Sequence, residues 1–343
     1  YTLNRVTDAI RFPDGTVVVA NTGDNTLRYY DETGSYLRTA GGQGGGPEEF
    51  AERISGLRRL GDSVLVWQFA LQSSRVFDHE GDFVRAIRAP RRPSRIDGVL
   101  NDGSHLFDSR IGSPPSETEL YLDSSYVYLS DPDFVEVDSI GRFPAWYMVR
   151  VQPYGWFAPR AYGPRRVVAA GDDVWYYGWP EAYEFRVMNR DGSVRRIVRR
   201  AWEPSPVTDE DRALFRAFIL GPPGAPGSRL RRAPIAESMV FPESYPAFRR
   251  IEPDPTGHVW AQRSVPGWST EEFAFNAVPD VPTTWDVFDP SGAWLGSVTM
   301  PARFDAFDIG EDHVTGLWKD DLDVERVRVY TLVRPEGDTA PRP

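Results

Sequence analysis

Residues 41–50 read GGQGGGPEEF: five glycines in the first six positions, then Pro47, two glutamates and Phe50. A phosphate-binding loop would end in Gly-Lys-Ser/Thr and open a helix. Here Gly46 is followed by Pro47 and Glu48. A dinucleotide fingerprint counted from Gly42 and Gly44 needs glycine at position 47, which is proline. The flanks give a better reading. SYLRTA (35–40) precedes the stretch and SGLRRL (55–60) follows it, and both read as strands. The glycine run is then a crossover between two β units, with Phe50 returning to the core between them. A backbone nest for a small anion is the remaining alternative.

Working outward, the same unit recurs. Asp14-Gly15-Thr16 leads into VVVAN, Gly61-Asp62-Ser63 into VLVWQ, and Gly103-Ser104-His105 into LFDS. Gly171-Asp172-Asp173 leads into VWYYG, Thr256-Gly257-His258 into VWAQ, and Glu311-Asp312-His313 into VTGLW. Each is a turn that launches a strand. A second signal follows most of them: LRYYDETGSYL (27–37), SRVFDHEGDFV (74–84), VYLSDPDFVEV (127–137), FRVMNRDGSVR (185–195) and WDVFDPSGAWL (285–295). Each holds an Asp or Asn that can bond its own backbone, and all but the third hold a Gly suited to positive φ. A unit is thus four strands of about 40 residues, and six units predict an all-β six-bladed propeller of four-stranded antiparallel blades. The last unit, ERVRVYTLV, lacks a hairpin partner, so YTLNRV (1–6) is expected to close the last blade. The expected domain spans 1–335, with insertions at about 143–165, 201–248 and 263–284 and a flexible tail at 336–343.

The run ending in Gly-Pro-Glu-Glu-Phe, followed by VLVW and RVFDHEGDFV, resembles the NHL-repeat propellers. It is similar to bacterial six-bladed members that are often exported or lipid-anchored. The likeness is good over 9–90, recognisable over 165–200 and 250–334, and weak in the third blade. It implies a fold and leaves activity open, because related propellers include sensors, ligand-binding proteins, hydrolases and lyases.

Composition narrows the partners. Net charge is −11 and the isoelectric point about 5.0, which argues against a nucleic-acid partner. There is no cysteine, which excludes thiolate zinc, iron–sulfur clusters, disulfides and cysteine nucleophiles. No apolar run is long enough for a membrane helix. The chain opens on Tyr1 and is read as processed, from a periplasmic or extracellular protein, with a lipid anchor before trimming as one form; a monomer is expected.

The insertions fall on d-to-a and b-to-c connections, which share one face. In 201–248, Thr208 and Asp211 form a capping-box pattern ahead of RALFRAFIL, with Leu214, Phe215 and Phe218 on one stripe and Gly221 as the stop. That predicts a short helix between blades 4 and 5. Aligning the second strands places Asn21, Gln68, Arg110, Gly178, Arg263 and Trp318 at one level, and Thr22, Phe69, Ile111, Trp179, Ser264 and Lys319 at the next. Arg110, Arg263, Trp179, Lys319, Gln68 and Trp318 are the candidate ligand-binding residues at the channel mouth. They suit a small polar or anionic ligand, a glycan or a protein segment. The bland alternative pairs the arginines with Asp108, Glu181 or Asp320. His105, His258 and His313 share one repeat position, which spreads them around the ring, and no triad or zinc set results. No cofactor is expected unless it is calcium; Asn21, Asp108 and Glu181 are the metal candidates, with Asp24 and Asn25 beside them, although NTGDN (21–25) reads equally as a turn. The leading expectation is a ligand-binding or interaction module, and the alternative is a calcium-assisted hydrolase or lyase.

Overall fold

The turn chemistry read from the sequence is present in the structure. Asp31 Oδ1 accepts the backbone N–H groups of Thr33 and Ser35 at 2.9 and 2.8 Å, and Gly34 takes φ 83°. Asp78, Asp131 and Asp289 accept from the residue four places on in the same way. In the glycine-free turn, Phe134 stands where the others have glycine and takes φ 57°.

The structure is a computed structural model that describes residues 2–68, 73–88, 95–111, 118–221, 228–266 and 278–334. Its strands fall into six antiparallel sheets. The first holds β1 (Val6–Arg11), β2 (Val17–Asn21), β3 (Thr26–Tyr30) and β4 (Tyr36–Gly41). The second holds β5 (Ile54–Leu60), β6 (Ser63–Gln68), β7 (Ser73–Asp78) and β8 (Phe83–Arg88). The third has five strands: β9 (Arg95–Val99), β10 (His105–Ile111), β11 (Leu120–Ser130), β12 (Val137–Val151) and β13 (Trp156–Pro159). The fourth holds β14 (Val167–Ala170), β15 (Trp175–Gly178), β16 (Glu184–Met188) and β17 (Val194–Arg199). Two helices follow, α1 (Asp209–Leu220) and α2 (Ser228–Ser238). The fifth sheet holds β18 (Phe248–Pro253), β19 (Val259–Arg263), β20 (Thr283–Phe288) and β21 (Trp294–Met300). The sixth has three strands: β22 (Phe304–Ile309), β23 (His313–Lys319) and β24 (Glu325–Thr331). First strands meet first strands from β1 to β5, β9, β14 and β18, and β1 also meets β22. Arg250 of β18 bonds the carbonyls of Ala306 and Phe307 on β22, which links the fifth sheet to the sixth. The arrangement is consistent with a six-bladed propeller, and the sheets are called blades 1 to 6 below.

The core lies between blades. Phe50 is fully buried between blades 1 and 2 with Val18, Leu27, Val64 and Phe77. The glycine run is the expected crossover: Phe50 N–H donates to Gly42 O at 2.8 Å, and Gly46 N–H donates to Glu49. Gly41, at φ 75°, passes so close to the Phe50 ring that a Cβ there would overlap it.

Two expectations are corrected. The segment expected to close the last blade does not do so. Val6 already belongs to the first strand of blade 1, residues 2–5 form no strand, and among the described residues blade 6 has three strands. The backbone of Asn4 and Arg5 is instead bonded to Gly23 and Thr22 of the NTGDN turn. Blades 1 and 6 are joined by side chains, with Val6, Val17 and Val19 packed on Leu317 and Val327. The second correction concerns blade 3, which has five strands, because β11 and β12 run on as an arm that β13 completes. The 143–165 insertion is that arm. Its Val149, Val151 and Tyr162 pack on Phe215 and Ile219 of α1 and on Met239 and Tyr245 beyond α2.

The expected helix is α1. Thr208 caps it with a reciprocal bond to Asp211, and Gly221 ends it at φ 69°. Its buried stripe is Phe215 and Ile219, while Leu214 and Phe218 are exposed. Most of the 263–284 insertion, with Trp268, Phe273 and Phe275, and the 336–343 tail lie outside the described residues.

Candidate functional site

Strand pairing places the starts of the first strands beside the ends of the second strands. Val6 pairs with Asn21, Ile54 with Gln68, Val167 with Gly178, Phe248 with Arg263 and Phe304 with Trp318. In five blades the aligned positions lie at this end of the sheet, and the described side chains there have partners of their own. Gln68 is fully buried, donates to Glu52 O and accepts from Arg75. Trp318 lies under the guanidinium of Arg328, 3.4 Å from ring centre to Cζ. Lys319 is paired with Glu325 at 3.3 Å. Trp179 donates to Glu181 at 3.1 Å and neighbours the Tyr147 ring. Arg110 pairs with Ser125 in the β10–β11 ladder, and its side chain lies outside the described residues.

The metal candidates are also separate. Asn21 accepts from Asn4 and donates to Asp24, Asp24 is paired with Arg28, and Asn25 takes φ 56° with its side chain bonded to Gln43, Glu52 and Ile54. That is a turn and crossover staple. Asp108 is held by Arg166, which also reaches Asp97. Among the described residues no three His, Asp or Glu side chains lie together as a metal site.

One member of the ring, Arg263, opens into a pocket. Between blades 4 and 5 lies an open cavity of about 240 Å³, lined by Arg200, Trp202, Glu203, Ser205, Tyr245, Ala247, Arg263 and Ser264. Its floor is organised by Asp286 on β20, whose side chain is fully buried. Asp286 Oδ2 accepts from Arg263 Nε (2.8 Å), Arg200 Nη1 (2.7 Å) and the Tyr183 hydroxyl (2.7 Å). Its Oδ1 accepts from Arg263 Nη2 (2.8 Å), Ser297 (2.7 Å) and Trp294 Nε1 (3.2 Å). Burial alone would raise the carboxyl pKa; the bonds from Arg263, Ser297 and Tyr183 overcome it and hold the group at about 2. The same bond raises the Arg263 pKa. Arg200 lies over the Trp294 ring at 4.5 Å and near the Tyr183 ring at 5.6 Å. Two guanidiniums thus share one carboxylate, which leaves one positive charge at the pocket floor. Sequence reasoning named Arg263 and missed Arg200, Trp202, Tyr245 and Asp286. A signal was available for Asp286: three residues before the turn Asp or Asn, blades 1, 2 and 4 carry Arg28, Arg75 and Arg186, and blade 5 alone reverses the sign.

The axis of the ring carries a second polar set. Asp8 accepts from Leu57 N–H at 2.8 Å and faces Arg58 at 3.4 Å; burial outweighs these and lifts its carboxyl to about 6. Glu252 is raised by burial against Arg250. Burial would raise Asp308 too, but His313 and Arg59 keep it below its ordinary value. These groups are mutually paired across blades 1, 2, 5 and 6.

No family model and no curated protein sequence matches this chain. Solved structures do. A DUF4221 family member from Bacteroides vulgatus superposes with a TM-score of 0.55 at 12% identity, covering 97% of this chain and 94% of its own. A protein of Bacteroides fragilis that bears the name of an exported protein superposes at 0.52 with 11% identity, covering 97% and 92%. A gluconolactonase of Xanthomonas campestris superposes at 0.46 with 13% identity, covering 97% and 88%. The first two share this chain's fold over nearly its whole length. The NHL-type resemblance is not extended by any of these matches. No helix among the described residues is long and apolar enough to cross a membrane.

Proposed function

We propose that this protein is a ligand-binding module that holds a small polar or anionic ligand on its loop-rich face, in the pocket between blades 4 and 5. The observation that supports this is the charge arrangement. Arg200 and Arg263 share the single buried carboxylate of Asp286, and both line the pocket. Arginine presents a planar fork of donors, and with one donor of Arg200 and two of Arg263 spent on Asp286 the rest serve an anionic or hydroxyl-rich ligand. Trp202 and Tyr245 supply flat apolar walls. The reading keeps Arg263 from the sequence-derived set and moves the site from the channel mouth to a seam. Glycans and protein segments remain within the same class of occupant. Export to the periplasm or cell exterior is part of the proposal, supported by the name of the B. fragilis protein of like fold.

The test is a thermal-shift panel of small carboxylates, monosaccharides and short peptides, repeated on Arg200→Ala and Trp202→Ala. A ligand of this pocket raises the melting temperature of the unaltered chain and loses at least about tenfold in affinity in both variants. Hits that both variants bind unchanged refute the pocket. The calcium-assisted alternative has its own check, the melting temperature in EDTA and then in added calcium, where a rise of several degrees would revive it.

A further inference from the structure

We infer that the pocket between blades 4 and 5 takes a zwitterion, a ligand bearing both a carboxylate and an ammonium group. This rests on the pocket reading above and deepens it. The floor contributes an excess positive charge, since Arg200 and Arg263 both bond Asp286. The rim contributes the opposite sign. Glu203 lines the same pocket, is exposed, and forms no ion pair with another described residue. It stands three residues after Arg200 on the segment that leaves blade 4.

That segment is fixed in place. Tyr245 N–H donates to Ser205 O at 2.9 Å, Val207 N–H donates to Glu243 O at 2.9 Å, and Pro206 bridges Ser244. Glu203 is therefore carried on a tethered rim. A plain anion would gain from the two arginines and be repelled by Glu203; a plain cation would meet the reverse. A molecule with both charges satisfies floor and rim together. The cavity, about 240 Å³, admits an amino acid or a chain terminus and is below the usual range for drug-sized ligands.

Four probes on one six-carbon chain separate the alternatives: hexanoate, hexylamine, L-norleucine and 6-aminohexanoate. The last two bracket short and long charge separations. Titration calorimetry is run on the whole chain and on Glu203→Gln. The expected result is that one amino acid binds at least about tenfold more tightly than both hexanoate and hexylamine. Glu203→Gln then brings that amino acid to the level of hexanoate and leaves hexanoate no weaker. Hexanoate binding as tightly as both amino acids, and lost in Arg200→Ala, overturns the zwitterion and leaves the anion pocket standing. If neither amino acid binds while the broader panel yields Arg200-dependent hits, the inference is likewise overturned. If the panel yields none, the pocket reading fails with it.

Discussion

Asp286→Asn is the most informative single change. The substitution keeps the volume and removes the charge from a fully buried group that accepts six hydrogen bonds. A carboxyl held at about 2, against 3.8 ordinarily, contributes about 2 kcal/mol at neutral pH. The sign is that of a depressed acid: the contribution is fully present above about pH 4 and is lost as pH falls toward 2. The amide also presents a donor where all six partners donate, and it leaves Arg200 and Arg263 facing each other without their counter-ion. Removing one partner of a buried pair costs about 3–5 kcal/mol; because the arginines are partly exposed, about 3 kcal/mol is expected here. Urea unfolding at pH 7, followed by tryptophan fluorescence and circular dichroism together, measures this. The gap between the two proteins should narrow below about pH 4, as the unaltered chain loses the same interaction. A difference under about 0.5 kcal/mol at pH 7, or one that does not change with pH, would refute the account of the carboxylate as the organiser of the pocket floor.

Two further outcomes test the scaffold. Phe50→Ala should cost about 3–5 kcal/mol in urea unfolding, because the ring is fully buried between blades 1 and 2 and leaves a cavity beneath a crossover anchored by Gly41 and Gly42; a loss under about 1 kcal/mol would show that the crossover does not anchor that seam. His105 is fully buried against Phe134, ring centres 4.3 Å apart, and burial pulls its pKa down to about 4. A depressed histidine keeps its full contribution above about 6.5 and loses about 3 kcal/mol as pH falls to about 4. His105→Phe should therefore be less acid-sensitive than the unaltered chain between pH 6.5 and 4, and equal slopes in that window would reject the assignment.

The repeat was legible because propeller strands are encoded locally. Alternating apolar residues, a short turn, and an Asp that bonds its own backbone are all visible within ten residues. The helix cap at Thr208 was legible for the same reason. The terminal strand was misread because pairing is a long-range choice: Asn4 and Arg5 found partners in the NTGDN turn of blade 1, and nothing in YTLNRV announces that preference. The repeat alignment marked the strand ends, and the structure shows which partner each described side chain takes there. Repeat alignment fixes height along a strand but not which neighbour a side chain meets.

By itself the sequence determined the six-fold repeat, the crossover at 41–50, the inserted helix and the acidic, cysteine-free surface chemistry. All of these follow from bonds and packing between residues close in the chain. The tertiary structure alone decided the pocket. Arg200, Tyr183, Arg263 and Asp286 come from two blades and span about a hundred residues, 103 between Tyr183 and Asp286. Whether Arg263 is a free cation or half of a shared ion pair depends on Asp286 lying beside it across β19 and β20. Electrostatic function is set by distance and burial, and only the folded chain assigns those.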